Sequence, residues 1–464
     1  MPKKAGGGSR QPELIERSNR PTIPIAPDHR LVVLTEETDW TELEERVEEI
    51  RMSKLKSAAG RPPHLRALIG ALLLKATRDM TWREAEDLIR YYAPARYLCG
   101  LTETEWSPDF TTLHDFAVLL GEEGVRLINE YAVKWAVEEK LANPSVVVGD
   151  TTAQEAAIPY PNEMGLMAAF MNSVAIASKR GGAALKRFAE KAHPTFKAAK
   201  EKFRRHRLFA KSKRTRLKLL TEMTTIVEGT QARLARALEK SRTAGRQVSR
   251  FGKVALGRAV QLHETMKKLL PQIRYWVRTG KVAANKIINV HIPELYSIVR
   301  GKVSKPVEFG LSWGITRLRG GFLLATMATN RRELLDTKFA VRAVDHCIAL
   351  FGKPPRAYAY DRGGHSLENV AELQRKGVQQ VALAPRGHLA WAVSKSTKEK
   401  LVRERALVEG SIGTLKSRRY GFNRPRARSA RMMGAYGQLA VLGFNLNKLA
   451  RGLAKRSEMA AVTG

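Results

Sequence analysis

Three carboxylates in this chain could together perform metal-assisted chemistry. Asp150 ends the β-branched run "VVVGD", and Asp361 ends the apolar run "AYAYD". Glu409 lies in "RERALVEGSIGTLK", four residues after Arg405 and seven before Lys416. Carboxylate oxygens suit Mg²⁺, and two such ions can activate an attacking oxygen and stabilise a leaving one in phosphodiester chemistry. One acid after a strand usually caps the next turn, but two such acids and a helical glutamate predict a catalytic trio.

The bases beside Glu409 admit two interpretations. Arg405 and Lys416 lie about one and two helical turns from Glu409, on its face of the helix. They could form salt bridges along the helix, or they could bind the phosphates that flank a scissile bond. We expect phosphate binding, with a bidentate fork from arginine and a point charge from lysine. Glu404 lies five residues before Glu409 and off this face, so Glu409 is the predicted metal ligand.

The charge of the chain indicates a polyanionic partner. The 464 residues include 81 Lys and Arg against 45 Asp and Glu, which gives a net charge of +36. Nucleic acid is the first expectation and an anionic membrane surface the second. No apolar run approaches the ~20 residues that span a bilayer, and the basic N-terminus lacks an apolar signal core. We therefore expect a cytoplasmic, nucleoid-associated protein that does not contact a membrane. Its two cysteines, Cys99 and Cys347, form neither a disulfide framework nor a zinc site.

Most of the excess charge lies in one segment. Residues 179–286 hold 30 Lys and Arg against 6 Asp and Glu, with apolar residues at helical spacing. We expect a helical insertion that forms a long antiparallel hairpin with a basic outer face. A solvated coiled segment is the alternative, but self-repulsion of this size favours contact with DNA phosphates. Trp276 could stack on an exposed base or anchor the helix by apolar packing.

The remaining sequence alternates between strand and helix patterns. The order is strand, insertion, hairpin ("KPVEFGLSWGI" and "FLLATMAT"), helix, strand, helix, strand, helix, which predicts an α/β layer with a mixed sheet. Short helices before residue 140 could form a helix-turn-helix DNA reader or a plain bundle for packing. The expected parts are a disordered basic arm at 1–30, a helical DNA-binding or dimerisation domain at 31–143, a catalytic domain at 144–178 and 287–425, the insertion at 179–286, and a C-terminal helix and tail at 426–464.

These motifs resemble the bacterial insertion-sequence transposases of the DDE type, and the resemblance covers most of the chain. Helices of that family often carry a signature of Tyr, two residues, Arg, three residues, Glu, six residues and Lys. Arg405, Glu409 and Lys416 match this spacing, whereas Val402 holds the tyrosine position. The stretches that carry the resemblance are "GRPPHLRALIGALLLKATRDMTWREAEDLIR", "PDFTTLHDF", "VVVGDTTAQE", "AYDRGGHSLENVAEL" and "RERALVEGSIGTLKSRRYGFNRPRARS".

The resemblance implies an α/β ribonuclease-H-like mixed-sheet core, with an N-terminal all-helical domain and a large basic helical insertion. It implies two Mg²⁺ ions, for which Mn²⁺ can substitute: Asp150 would bridge them, and Asp361 and Glu409 would each complete one site. The substrates would be double-stranded DNA, namely the terminal inverted repeats and the target, held by a homodimer. No phosphate-binding glycine loop occurs, so no nucleotide cofactor is expected.

Further DNA contacts are predicted around the acids and in the insertion. His365 could order DNA or a water, although a lone histidine is more often structural, and Trp391 could stack on a base or pack in the core. Two rival functions remain open: an architectural DNA-binding protein without catalysis, and a nuclease that hydrolyses but never joins. The bases predicted to contact DNA, besides Arg405 and Lys416, are Arg362, Arg418, Arg419, Lys202, Arg204, Arg205, Lys213 and Arg214.

Overall fold

A computed structural model describes residues 25–55, 63–102, 104, 106–243, 249–299, 306–328, 333, 335–385, 387 and 390–463. Residues 1–24 of the predicted basic arm lie outside the described residues. The helices are α1 (Arg30–Glu37), α2 (Trp40–Lys54), α3 (Leu65–Ala76), α4 (Trp82–Tyr91), α5 (Ala93–Leu98), α6 (Phe110–Glu138), α7 (Glu163–Arg180), α8 (Ala183–Leu208), α9 (Lys213–Thr243), α10 (Arg250–Thr279), α11 (Asp336–Phe351), α12 (Leu367–Arg375), α13 (Lys395–Leu415) and α14 (Ala430–Thr463). The strands are β1 (Asn143–Glu155), β2 (Tyr296–Val299), β3 (Val307–Arg319), β4 (Leu323–Met327), β5 (Ala357–Tyr360) and β6 (Gln380–Leu383).

The strands form one mixed sheet, as the alternating pattern predicts. Its order is β2-β3-β1-β5-β6, and β4 pairs with the C-terminal half of β3. β1 is antiparallel to β3 and parallel to β5, which is parallel to β6. The predicted hairpin is confirmed as β3 and β4, with Gly320 and Gly321 at φ +97° and +87° in the turn, a backbone region that glycine adopts readily.

The N-terminal helices do not have a separate core. Helices α1–α6 and α14 share one apolar cluster with α11 and with the face of the sheet that carries Val147, Tyr358 and Tyr360. Helix α4 begins at a capping box: the Thr81 hydroxyl accepts a hydrogen bond from Glu84 N–H, and the Glu84 carboxylate accepts one from Thr81 N–H. The helices before residue 140 are therefore packed against the sheet.

The other face of the sheet is covered mainly by α13. The buried side chains of this helix are Leu401, Val408, Ile412 and Leu415, which recur at the spacing of one helical face. They share a core with Val148 and the alanines of β5 and β6. The sheet thus lies between α11 on one side and α13 on the other.

The basic insertion forms three helices, so the prediction of a two-helix hairpin is wrong. Gly181 and Gly182 precede α8, residues 209–212 separate α8 from α9, and α10 follows. These helices enclose a core of their own together with α7. The sequence pattern gives apolar spacing within a helix, but it does not give the number of breaks between helices.

Within the described ranges, no helix is both long enough and apolar enough to span a membrane. Both cysteines are buried thiols, and burial raises the pKa of each to about 12. They are therefore protonated packing groups.

Candidate active site

The sheet sets Asp150 and Asp361 beside each other. In the parallel register of β1 and β5, Val148 lies opposite Ala359. Asp361 is still in extended backbone, at φ −73° and ψ −179°. Continuing the register by two residues brings Asp150 opposite Asp361, and neighbouring strands are only about 4.8 Å apart. By this continued register, Asp150 within β1 and Asp361 directly after β5 lie beside each other, although they are 211 positions apart in the sequence.

The location of Asp150 corrects one detail of the sequence analysis. Asp150 does not end its strand, because β1 continues through Glu155 and pairs with β3 along that length. The polar residues after Asp150 indicate a loop, but they have a backbone partner in the long strand β3. Asp361 does follow the end of β5, as predicted.

Both aspartates point to the side of the sheet that α13 covers. Val148 and Ala359 lie in the core beneath α13, and side chains two residues apart on a strand share a face. Thr151 points to the opposite side, where its hydroxyl donates a 2.6 Å hydrogen bond to Oδ1 of Asp336. The acids therefore lie where β5 ends and α13 passes.

Asp361 is in an acid-rich and partly desolvated environment. Burial raises the pKa of its carboxyl, and the negative charge of Asp336 raises it further. The N–H groups of Gly363 and Gly364 donate hydrogen bonds to Oδ1 of Asp361 at 2.9 and 3.3 Å, and these bonds lower the pKa. The positive charge of Arg405 also lowers it. Asp336, at the first turn of α11, is an acid that the sequence analysis missed, because no motif links it to Asp361.

Glu409 lies on α13 next to the buried Val408, and it is paired with a base. The Arg405 guanidinium lies 3.2 Å from Oε1 of Glu409, and the two side chains are 35% and 60% exposed. Arg405 also lowers the pKa of Asp361, so its charge acts on acids from both elements. An exposed pair at this spacing contributes only about 0.3–0.5 kcal/mol.

The trio is not assembled as a metal cluster. In the part of the chain that the structure describes, no group of three or more His, Cys, Asp or Glu side chains is placed to hold a metal ion. Asp150 and Asp361 are neighbours, whereas Glu409 is engaged by Arg405. All three are hard oxygen donors, which is the ligand chemistry of Mg²⁺. The donor types thus suit the ion, although the described residues do not bring three of them together.

Glu404 is engaged in a structural contact. Its carboxylate pairs with Arg317 at 3.0 Å and with Arg319 at 3.6 Å, which ties α13 to β3. Glu155, at the end of β1, pairs with Arg424 at 3.3 Å. Both glutamates are thus held by arginines, and the choice of Glu409 over Glu404 as the metal ligand stays a prediction.

Three further residues predicted near the site, His365, Trp391 and Arg362, differ in the exposure of their side chains. His365 is 7% exposed and directly follows the short 3₁₀ turn after Asp361. Trp391 packs partly buried against the core beneath α13, and the Lys398 ammonium lies 5.1 Å from its ring centroid. Arg362 is exposed. Of these three residues, Arg362 is the most exposed, and it directly follows Asp361.

Bases continue beyond the end of α13. Lys416 is the C-cap of the helix, and Arg418 and Arg419 are exposed. In the insertion, Arg204, Arg205, Lys213 and Arg214 are exposed, and Lys202 forms an ion pair with Glu222.

An arginine cluster adds positions that sequence reasoning missed. The guanidinium groups of Arg30 and Arg419 both donate to Oδ1 of Asn447, at 3.4 and 3.2 Å. Burial lowers the pKa of Arg30, and the charges of Arg78, Arg419 and Arg451 lower it further. Like charges from four distant parts of the sequence therefore converge on one surface. Such convergence is costly without an anion.

Comparison with known protein families identifies a match in the N-terminal part of the chain. A family model described as a transposase domain (DUF772) matches residues 21–118, a segment that contains α1–α5 and the start of α6. No curated protein and no solved structure matches the chain. The matched segment supports a transposase family for this chain, and it suggests a function in DNA transposition.

Proposed function

We propose that this protein is a DDE-type DNA transposase with a ribonuclease-H-like catalytic core. It would cleave phosphodiester bonds at transposon ends and join the 3′-OH ends to target DNA. The observation that carries the proposal is the adjacent pair Asp150 and Asp361 beneath the helix that holds Glu409. The transposase-domain match on the N-terminal helices and the mixed sheet support it.

The three acids would hold two divalent ions, Mg²⁺ or Mn²⁺, with no nucleotide cofactor. When bound, such ions activate the attacking oxygen and stabilise the leaving oxygen of an in-line displacement. Asp150 and Asp361 contribute fixed carboxylates, because one lies within a strand and the other accepts two backbone N–H groups. They also need a cation to offset their mutual repulsion.

Arg405 would link DNA binding to the assembly of the site. In the free protein its guanidinium is held by Glu409 in an exposed and weak pair. A DNA phosphate offers the same bidentate partner with more charge. Binding of the phosphate by Arg405, together with Lys416 at the C-cap of α13, would release Glu409 for its role as a ligand.

Two basic surfaces beyond the site would hold the DNA. One is the insertion, with Arg204, Arg205, Lys213 and Arg214 exposed, and the other is the arginine cluster around Asn447. Terminal inverted repeats and target DNA are the proposed partners. A homodimer on DNA is proposed because two ends must be cut and joined together.

Strand cleavage by site variants tests the proposal. The substrate is labelled duplex DNA from the regions that flank the coding sequence, incubated with Mg²⁺ or Mn²⁺. We expect Asp150→Ala, Asp361→Ala and Glu409→Ala each to abolish cleavage and to retain DNA binding. Glu399→Ala is the matched control, because Glu399 is an exposed glutamate on the same helix.

The rival functions predict different results. Cleavage by all three variants would show that the site lies elsewhere. DNA binding by the wild type without cleavage in either metal would identify an architectural protein. Cleavage without the joining of a 3′-OH end would identify a nuclease.

A further inference from the structure

The helical insertion encloses a large groove that is distinct from the three acids. Its volume is about 1850 Å³, and its walls come from α7–α10 together with the segments at 159–162 and 288–291. The floor includes core side chains such as Met171, Ala199 and Leu220, all 3% exposed or less. The groove is therefore a recess with an apolar floor between packed helices.

The rim of this groove is strongly basic. Its only acidic lining residue among those described is Glu163, whose carboxylate forms an ion pair with Lys286. Three histidines also face it, and burial lowers the pKa of two of them, His206 and His291, so they are largely neutral. An anionic occupant is favoured. The lysines and arginines of the lining are Lys179, Lys197, Lys200, Arg207, Lys211, Lys213 and Arg216.

Aromatic rings lie among these bases. Phe196, Phe203 and Trp276 line the groove and are only partly buried. The Arg207 guanidinium lies 5.9 Å from the centroid of the Phe203 ring. Aromatic rings interleaved with Lys and Arg side chains are typical of a site for a nucleic-acid strand. The rings stack on the nucleobases, while the cationic side chains follow the phosphates.

We propose that this groove binds a single DNA strand with unstacked bases. A duplex does not suit it, because the faces of duplex bases are stacked on each other and only their edges are reachable from the grooves. The recessed rings need a free base face. This inference rests on the proposed function for the source of the strand, which would be DNA opened near a cut end, but the binding itself requires no catalysis.

Binding by the full-length protein in EDTA tests the groove, since chelation of divalent ions removes cleavage from the measurement. The probes are a fluorescein-labelled single strand of mixed sequence and the same strand in a duplex, measured by anisotropy. We expect Phe203→Leu with Trp276→Leu to weaken single-strand binding by at least about 30-fold, since two stacks of ~1–3 kcal/mol each are lost. The affinity of the variant for the duplex should stay within about twofold of the wild-type value. Retained duplex binding would also show that the variant is folded.

Phe251→Leu is the matched control, because Phe251 is 84% exposed on α10 and does not line the groove. A second measurement does not depend on the leucine variants. Saturating single strand should quench tryptophan fluorescence in the wild type, and Trp276→Phe should remove that quenching while it keeps the affinity. Equal loss of single-strand and duplex binding, or quenching that Trp276→Phe leaves unchanged, would overturn the proposal. So would displacement of the strand by anionic lipid vesicles with higher affinity.

Discussion

The salt dependence of duplex binding gives the most quantitative test of the basic insertion. Arg204, Arg205, Lys213 and Arg214 are all exposed near the turn between α8 and α9. We consider a variant in which all four are replaced by serine. Each base that neutralises a DNA phosphate releases condensed counterions, so its removal changes the salt dependence of affinity and not only its value.

The size of the effect follows from the number of contacts. Each phosphate contact contributes about 0.9 to the slope of log affinity against log salt concentration, so four contacts contribute about 3.6. Raising the salt concentration from about 50 to about 200 mM would then weaken duplex binding by the wild type about 150-fold more than duplex binding by the variant.

Fluorescence anisotropy with one duplex at several salt concentrations measures both slopes. A control variant removes four bases that are already paired with an acid, and its slope should change little. A slope that is unchanged in the insertion variant, or equal changes in both variants, would refute a DNA role for this surface. The control bases are Lys54 with Glu123, Arg126 with Glu130, Lys376 with Asp345, and Arg456 with Glu139.

Two further predictions concern the fold. Burial raises the pKa of Glu130, but its 2.7 Å contact with His346 and the charge of Arg126 lower it below the ordinary value on balance. The contact between Glu130 and His346 thus stabilises the folded protein at pH values above 4.5, the ordinary pKa of glutamate. This stabilisation is lost as the pH falls through the lower pKa that Glu130 has in the folded state. Glu130→Gln should lower the free energy of unfolding by about 1 kcal/mol at neutral pH and by less in acid; an equal loss at both would contradict this. Gly443→Ala should lower the thermal midpoint, with a cost of about 1–3 kcal/mol, because a Cβ there would lie 1.6 Å from the carbonyl oxygen of Ala76. Gly229→Ala, with open space around it, should raise the midpoint, and similar midpoints for the two variants would contradict the close approach.

Local features of the site were predictable from the sequence. The strand before Asp361 and the helix around Glu409 follow from apolar patterning over a few residues. The pattern failed at Asp150, because a strand continues through polar residues when another strand pairs with it. The number of helices in the insertion was missed for a related reason, since breaks between helices depend on packing.

The long-range arrangement was not predictable from motifs. The proximity of Asp336 to Asp361 and the convergence of Arg30, Arg78 and Arg451 join segments that are far apart in the sequence. Spacing does predict that Arg405 and Glu409 can meet, but it does not decide whether Arg405 faces the acid or a phosphate. In the free protein it faces the acid.

Strand transfer is the most direct test of the central claim. A pre-cleaved end with a free 3′-OH is incubated with a supercoiled target plasmid and Mg²⁺, and joined products are counted. The proposal predicts joining by the wild type and none by Asp361→Ala. Joining by both proteins, or no joining by a wild type that binds both DNAs, would contradict it.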